Sequence, residues 1–357
     1  MKIDDKTSHN SPSLRFPEFT GEWEKCKIED ITDAVSSGKS KNHFSNGEYN
    51  LYGSTGIIGR TDKALYDGKL VLVARVGANA GFLQIINEPC GITDNTLILK
   101  PKGIDAFYLY YFLQHFNLNR LIFGSGQPLI TGGMLKKVKV SLGTISEQSK
   151  IVKFLSLLDE RIAVQNRLIE KLQSLIGGIA QHCIKEAISG SMGIKLGDIC
   201  KITTGKLDAN AQVDNGLYPF FTCAEQPFKI DNFAFDTEAL LISGNGANLG
   251  YVNYYNGKFN AYQRTYVLDA FSENIQYIKW ALKVLLPKRI AIEKSSSNTP
   301  YIVLSTLSDL RLPIPSKGNQ CHMAELMQSL ERKLSNQIAL KSSYNMLKQY
   351  LLRQMFI

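Results

Sequence analysis

The sequence predicts an α+β protein built from two copies of one unit, with two related α/β domains separated by a long antiparallel two-helix coiled coil. Three observations predict this fold class. Short motifs recur in the same order, each set of motifs is followed by a long apolar seam, and 357 residues, 44% of them hydrophobic, suffice for two cores. The predicted domains span 1–146 and 191–318, and the predicted helices span 147–190 and 319–357.

The repeated motifs are weak in identity but consistent in order. Gly77-Ala-Asn-Ala-Gly81 returns as Gly246-Ala-Asn-Leu-Gly250, 169 residues later, and Gln148 returns as Gln320 at an offset of 172. The change of offset indicates a small insertion between two blocks of matches. An apolar run precedes each glycine motif, and a run of this kind predicts a buried strand that leads into a loop.

Each copy of the unit ends in a long predicted helix. Apolar residues from Ile151 to Cys183 alternate at four- and three-residue spacing, as in a coiled coil, and a second seam runs from about Gln320 to the C-terminus. Gln165 and Gln337 interrupt the two seams, and each is compatible with either a buried register-fixing residue or a solvated position. Because an exposed seam would not be stable, we expect the helices to pack together, with the domains at opposite ends of a rod.

The net charge, the apolar runs and the cysteines limit the classes of protein to which the chain could belong. The net charge of +9 is compatible both with a polyanionic partner such as nucleic acid and with mere solubility. The polar segment from Met1 to Ser13 has no apolar stretch of a secretory signal, and no apolar run is long enough for a bilayer. The six cysteines are scattered without a CxxC pair, so we expect a cytoplasmic protein with neither disulfides nor a metal site.

The sequence lacks the common catalytic motifs. Gly38-Lys39-Ser40 resembles the end of a P-loop, but Asp33 occupies the position of its first glycine. The glycines of residues 244–250 have the wrong spacing for a dinucleotide-binding fingerprint, and neither HExxH nor GxSxG occurs. The amino-methyltransferase sequence of Asn or Asp, two prolines and an aromatic residue is also absent. We therefore predict a non-catalytic chain that binds no cofactor.

The predicted loops combine glycine with short polar side chains. Glycine lets the backbone approach a ligand closely, Asn, Gln and Arg offer the paired hydrogen bonds that read base edges, and Lys, Ser and Thr suit phosphates. On this basis the candidate DNA-binding residues are Lys39, Ser54, Thr55, Arg60, Arg75, Asn79, Asn95 and Gln127 in the first copy, and Lys206, Thr222, Gln226, Asn245, Asn248, Arg264 and Asn298 in the second.

Each of these residues also has a purely structural interpretation, because such loops occur as ordinary turns. For Asn79 and Asn248 the closing of a turn is favoured over base contact. For Arg75 and Arg264, DNA contact and a structural ion pair are nearly balanced. The aromatic residues of the short helices are interpreted as core rather than as stacking platforms: Tyr108, Tyr111 and Trp280.

Three stretches of the chain carry a family resemblance that covers nearly its whole length. Leu14-Arg-Phe-Pro-Glu-Phe-Thr-Gly-Glu-Trp23 and Tyr52-Gly-Ser-Thr-Gly-Ile-Ile-Gly59 are similar to the opening and the glycine loop of one family. Glu147-Gln148, followed by Lys150-Ile-Val-Lys-Phe-Leu155 and Leu158-Asp-Glu-Arg-Ile162, resembles the start of its central helix and is the most specific of the signals. The family is the specificity (S, or HsdS) subunit of type I restriction–modification systems.

The second copy departs from this pattern. Asn319-Gln-Cys-His-Met-Ala-Glu-Leu326 is a degraded version of the helix start, Leu-Asp-Glu-Arg becomes Leu330-Glu-Arg-Lys333, and the opening of the domain is shorter. These differences put the partner contacts of the second helix in question, and not the fold.

The resemblance implies a function shared between several proteins. Each domain would be a target recognition domain reading one part of a split sequence in double-stranded DNA, and the helices would be a spacer of fixed length. The helices would also dock two modification (methyltransferase) subunits, with which restriction subunits assemble. S-adenosylmethionine, ATP and magnesium would be bound by those partners and not by this chain. The implied partner-binding helix residues are Asp159, Arg161, Glu331 and Arg332.

Two other functions remain open from the sequence. A scaffold protein could use the coiled coil to join proteins without binding DNA, and steep loss of DNA affinity with added salt would argue against it. A nuclease acting alone would cleave DNA when supplied with magnesium only. Because the loops of the two copies differ while their glycine motifs are shared, the leading hypothesis predicts a split and asymmetric target.

Overall fold

The computed structural model describes residues 10–41, 47–122, 127–190, 192–294 and 301–357. The chain forms two compact units, the first made of Met1–Asn166 and Ala339–Ile357 and the second of Arg167–Ile338. Each unit thus contains half of each long helix. Among the residues that the structure describes, no helix combines the length and apolar character needed to cross a membrane.

The first unit contains nine strands and two short helices within its described residues. Their bounds, with those of the first long helix, are β1 (Glu24–Lys27), β2 (Thr32–Ser37), β3 (Tyr49–Gly53), β4 (Gly56–Thr61), β5 (Lys69–Ala74), β6 (Leu83–Asn87), β7 (Cys90–Ile92), β8 (Thr96–Pro101), α1 (Ala106–Phe116), α2 (Gly132–Lys136), β9 (Lys139–Leu142) and α3 (Ile145–Ser189).

The second unit follows the same order with fewer, longer strands. Its elements are β10 (Ile194–Lys195), β11 (Lys201–Thr204), β12 (Tyr218–Phe221), β13 (Phe228–Ile230), β14 (Phe235–Ser243), β15 (Val252–Ala261), β16 (Thr265–Asp269), α4 (Ile275–Lys294), α5 (Leu304–Ser308), β17 (Arg311–Leu312) and α6 (Lys317–Met355). Single-turn 3-10 helices occupy Ile28–Ile31, Leu118–Leu121, Leu196–Asp198 and Ala209–Ala211.

The two units share one sheet topology. The first has sheets of order β2-β8-β5-β6, β4-β3-β7 and β1-β9, and the second has sheets of order β11-β16-β14-β15-β12-β13 and β10-β17. Parallel pairing of Leu51 with Gly91 recurs as Phe220 with Asn260, at the offset of 169. The ten-residue β15 pairs with both β14 and β12, whereas β6 pairs with β5 and the separate strand β7 pairs with β3. One six-stranded sheet in the second unit therefore corresponds to two sheets in the first.

The strand before each glycine motif is buried on both faces. Val71 and Val73 of β5 face the main core of the first unit, whereas Leu70 and Leu72 face a smaller core on the other side of the sheet. Alternate side chains of a strand point to opposite faces, so a continuous apolar run fills two cores. The corresponding strand β14 divides its side chains in the same way, with Leu240 and Ile242 on one face and Ala239 and Leu241 on the other.

The long helices pack together in antiparallel order, which confirms the predicted fold class. In the first unit the start of α3, with Ile151 and Leu155, shares a core with Leu352 and Met355 near the end of α6. In the second unit the later part of α3 shares a core with the start of α6, through Ile176, Ala180, Ile184, Met323 and Met327. Burial of the two seams supplies the stability that neither helix would have alone.

Candidate nucleic-acid interface

Five segments of the first unit meet at one end of its sheets. The backbone N–H of Arg75, just after β5, donates to the Asn95 carbonyl at 2.9 Å, and the Ser54 hydroxyl donates to the same carbonyl at 3.2 Å. The N–H of Gly38 donates to Thr96, and the N–H of Gly77 donates to the Pro128 carbonyl at 3.0 Å. The loops that follow β2, β3 and β5 therefore lie beside those that precede β8 and α2.

The second unit repeats three backbone hydrogen bonds of this arrangement. The N–H of Gly244 donates to the Arg264 carbonyl at 2.8 Å, as Arg75 does to Asn95. Gly205 donates to Thr265 as Gly38 does to Thr96, and Ile302 donates to Gly244 as Ile130 does to Arg75. Each unit thus presents an equivalent loop cluster, defined here as the loops joined by these bonds.

One backbone conformation in each loop cluster requires glycine. Gly77 has a φ of 80° and Gly246 a φ of 79°, in the left-handed region that side chains with a Cβ rarely adopt. A Cβ at either position would meet no other atom within 4 Å, so the constraint is conformational rather than steric. The glycines recognised as a repeat in the sequence therefore set the same loop path in both units.

The predicted DNA-binding residues differ in exposure. Nine are exposed: Lys39, Thr55, Arg60, Asn79, Asn95, Gln127, Lys206, Gln226 and Arg264. Ser54, Arg75, Asn245 and Asn248 are half-buried, Thr222 is buried, and Asn298 lies outside the described residues. Most of the described set lies in the two loop clusters, where the side chains can reach a ligand.

Besides Ser54, four of these side chains make contacts within the fold. The Asn248 amide donates to the Cys223 carbonyl at 3.0 Å, which closes the loop after β14 onto the loop after β12. The Thr222 hydroxyl accepts from the N–H of Ala224 at 3.2 Å, and Arg75 Nη1 donates to the Ser37 hydroxyl at 3.4 Å. Arg60 lies away from the β3–β4 turn and donates to the carbonyls of residues 47 and 48 at 2.7 and 2.6 Å. Its guanidinium is held by the fold, at the far end of the hairpin from Ser54.

A carboxylate fixes the first strand of that hairpin. Glu88 accepts hydrogen bonds from the Asn50 amide at 2.8 Å and from the Tyr52 hydroxyl at 2.6 Å. These bonds lower the pKa of Glu88, while burial and the adjacent carboxylate raise the pKa of Tyr52 to about 12. The strand that leads to the Ser54 loop is thereby held by an ionised acid and a neutral phenol.

One pair of equivalent aromatic side chains lies beside the predicted residues and is not among them. Phe82 and Tyr251 follow the glycine motifs at the offset of 169, and their exposed fractions are 48% and 38%. Their backbone N–H groups donate equivalently, to Asn79 and to Asn248. Comparing the two copies one residue beyond each motif would have found them. The core interpretation of the other aromatic residues is confirmed, because Tyr108, Tyr111 and Trp280 are all buried.

The two acidic residues that were predicted to bind partner subunits accept hydrogen bonds from residues of their own unit. Asp159 accepts from Lys348 Nζ at 2.6 Å and from the Tyr111 hydroxyl at 2.8 Å, which ties α3 to α6 and α1. Glu331, its counterpart on α6, accepts from Lys279 Nζ on α4 at 2.7 Å. Arg161 and Arg332 are exposed. The acids therefore hold the helices to the domains, while the two arginines face outward.

The described part of the chain contains no cluster of histidine, cysteine and carboxylate side chains that could hold a metal ion. The fold and the loop clusters define a class: a duplicated α/β protein with two equivalent loop clusters and two long antiparallel helices.

Comparison with known proteins identifies the family within that class. The type I restriction modification DNA specificity domain matches residues 20–174 and again 189–341. The chain belongs to this family and carries two copies of its domain, which confirms the resemblance seen in its motifs.

Relatives from two organisms carry the same family name. The type I restriction enzyme EcoDI specificity subunit of Escherichia coli is 42% identical over 137 residues, which cover 38% of this chain but only 30% of that protein. The type I restriction enzyme MjaIX specificity subunit of Methanocaldococcus jannaschii is 23% identical over 88% of both chains. The S subunit crystal structure from M. genitalium superposes with a TM-score of 0.71, at 21% identity, over 97% of this chain and 99% of that one. This last likeness shows the fold.

Proposed function

We propose that this chain is the subunit that reads DNA in a type I restriction–modification complex, and that its target is split and asymmetric. As a specificity subunit it determines the DNA sequence that is recognised, while catalysis belongs to partner subunits. One observation carries the proposal: the loop clusters repeat the same backbone hydrogen bonds but carry different side chains. Arg75 corresponds to Gly244, and Asn95 corresponds to Arg264.

The chemistry of the loop clusters suits duplex DNA. Lys39 and Lys206 are exposed at equivalent loops and carry the charge that phosphates attract. Arg264, Asn95 and Gln226 offer donors and acceptors for base edges. Two surfaces with one backbone frame and different side chains are expected to select two different half-sites, separated by bases that neither surface contacts.

The proposed partners follow from the family. They are double-stranded DNA, two modification subunits and, in a complete system, restriction subunits. This chain binds no cofactor in the proposal, and S-adenosylmethionine, ATP and magnesium belong to the partners. Such a complex would act on DNA in the cytoplasm. Arg161 and Arg332, which face outward on the long helices, are the proposed contacts to the modification subunits.

Selection from a random duplex library tests the proposal. The purified chain, with its own modification subunit, is expected to enrich two different half-sites at a fixed separation. Enrichment of a palindrome would contradict the asymmetric target. The absence of any enriched sequence, together with the absence of DNA binding, would favour a protein scaffold instead.

A further inference from the structure

The second unit contains an open cavity of about 510 Å³ between the end of α3 and the start of α6. Its walls include Cys183 and Ala187 of α3, Tyr277 of α4, and Asn319, His322 and Leu326 of α6. All of these residues belong to the same unit, so the cavity is a feature of that unit alone.

The equivalent space in the first unit is filled by the segment that precedes β1. Phe16 packs edge-on against Phe154, with ring centroids 6.1 Å apart, and the buried Trp23 lies 6.3 Å from Tyr108. The N–H of Leu14 donates to the carbonyl of Gln354 on α6 at 2.9 Å. The segment therefore inserts two aromatic side chains between α1, α3 and the end of α6.

The residues that line the cavity correspond in sequence to the residues that contact this segment in the first unit. At the offsets of 169 and 172, Tyr108 corresponds to Tyr277, Phe154 to Leu326, and Lys150 to His322. Two hydrogen bonds in each unit verify these offsets. The hydroxyl of Tyr108 donates to Ser141 and that of Tyr277 to Pro313, while the side-chain amides of Gln148 and Gln320 donate to the carbonyls of Gly143 and Pro315. The walls match, but only the first unit supplies its own occupant.

Within its described residues, the second unit has no segment before its first strand that could fill the cavity in the same way. Only residues 190–193 separate the end of α3 from the start of β10. Fourteen described residues, 10–23, precede β1 in the first unit. A four-residue link that must also join two elements cannot form an equivalent segment.

A buried carboxylate distinguishes the filled site of the first unit from the cavity of the second. Glu147 is fully buried and accepts from Arg15 and from Trp23 Nε1, whereas its counterpart Asn319 is neutral and exposed. An arginine placed in the cavity would therefore find no carboxylate at this position. The rim adds the imidazoles of His182 and His322 and one carboxylate, from Glu186, so it offers hydrogen-bond donors to carbonyls or to an acid.

We propose that this cavity is a docking site for an extended segment of the modification subunit, which inserts an aromatic side chain and carries no arginine at the position of Arg15. The proposal rests on the proposed function, because that function supplies the partner. A second copy of this chain is a poorer occupant, since its own segment would bring Arg15 against Asn319. The match between the cavity and the filled site of the first unit indicates the shape of the occupant. The replacement of Glu147 by Asn319 indicates that the occupant carries no arginine at that point.

A cavity-filling variant tests the docking of the partner. In Ala187→Trp the new indole would occupy the space, so the modification subunit is expected to bind roughly tenfold more weakly or more at this unit. Gln173→Trp, at an exposed position of the same helix, is the matched control and is expected to bind normally. Isothermal titration with the purified modification subunit measures both. Equal affinity and stoichiometry for the two variants would overturn the proposal.

A peptide experiment tests the receptor site without partner or DNA, so its result is independent of the proposed function. The probe is a synthetic peptide of residues 12–24. Asn319→Glu restores the missing carboxylate, and the peptide is expected to bind this variant at least about tenfold more tightly than the native chain. A peptide with Arg15→Gln is expected to lose that gain. Binding that does not differ between the two chains, or no binding to either, would show that the cavity is not an equivalent receptor.

Discussion

Arg15 holds the buried carboxylate of Glu147 with two hydrogen bonds, of 2.6 Å from Nε and 2.8 Å from Nη2. Trp23 Nε1 donates to the same carboxylate at 3.1 Å. This bond pattern locks the segment before β1 onto the first turn of α3, and the interaction raises the pKa of Arg15 further. Among the described residues of the second unit, four residues separate α3 from β10 and Asn319 replaces the carboxylate.

Removing this carboxylate is expected to destabilise the first unit alone. Glu147→Ala leaves the Arg15 guanidinium and the Trp23 N–H without their acceptor, which typically costs about 3 kcal/mol or more for a buried pair. Asn319→Ala is the matched control and is expected to cost under about 1 kcal/mol, because Asn319 is exposed. Trp23 lies in the first unit and Trp280 in the second, so denaturant unfolding in a Trp280→Phe background reports the first unit. Equal losses in both variants would contradict this account.

The two loop glycines are expected to affect one half-site each. Gly77→Ala and Gly246→Ala place a Cβ on a backbone of positive φ, which costs about 1–2 kcal/mol. Selection from random duplexes should therefore lose stringency in one half of the target with Gly77→Ala and in the other half with Gly246→Ala. Loss of both halves in either variant would mean that the loop clusters do not read DNA separately.

The same substitution is expected to have the opposite effect inside α3. Gly177 and Gly178 lie in the helix interior, and a Cβ at either would meet no other atom within 4 Å. Replacing each with alanine should raise the free energy of unfolding by about 1 kcal/mol, since glycine is the weaker helix former. Thermal unfolding followed by circular dichroism measures the change, and a decrease in stability would show that the helix needs these glycines.

Two lysines on one strand and its following loop provide a matched test of phosphate contact. Lys206 lies in the loop cluster of the second unit, whereas Lys201 lies at the other end of β11, and both are exposed. Lys206→Ala is expected to reduce the dependence of log affinity on log salt by about one unit, uniformly across sequences. Lys201→Ala removes the same charge and should leave that slope unchanged. An equal dependence of log affinity on log salt in the two variants would show that Lys206 does not contact phosphates.

The cysteines are expected to differ in their reactivity. Burial raises the pKa of Cys90 to about 11 and that of Cys200 to about 12, whereas Cys321 is exposed. At pH 8, iodoacetamide should modify Cys321 first and reach Cys90 and Cys200 only after unfolding, because the thiolate is the nucleophile. Peptide mass spectrometry gives the order of modification.

These raised pKa values also predict a loss of stability in alkali. Because the thiols of Cys90 and Cys200 are favoured in the folded state, their contribution to stability is complete below about pH 9 and declines as the pH rises towards 11 and 12. Replacing both with alanine should flatten this decline in a pH series of denaturant unfolding. Unchanged pH dependence would assign the loss to other groups.

The duplicated plan, the buried strands before Gly77 and Gly246, and the antiparallel packing of the long helices could all be predicted from the amino-acid sequence. These features follow from periodicity, because an apolar run or seam records which faces are buried, and two matching copies record it twice. The first long helix was predicted to begin at residue 147, and in the structure α3 begins at Ile145.

The polar side chains that hold the fold together could not be predicted in this way, and they are seen in the structure alone. Arg60 holds backbone carbonyls, Asn248 closes two loops, and Asp159 ties α3 to Lys348, a residue 189 positions away. The filled site at Glu147 and the open one at Asn319 were hidden for the same reason. A hydrogen bond depends on angles and distances between atoms that the sheet and the helices bring together, and residue type and spacing along the chain carry no record of that geometry.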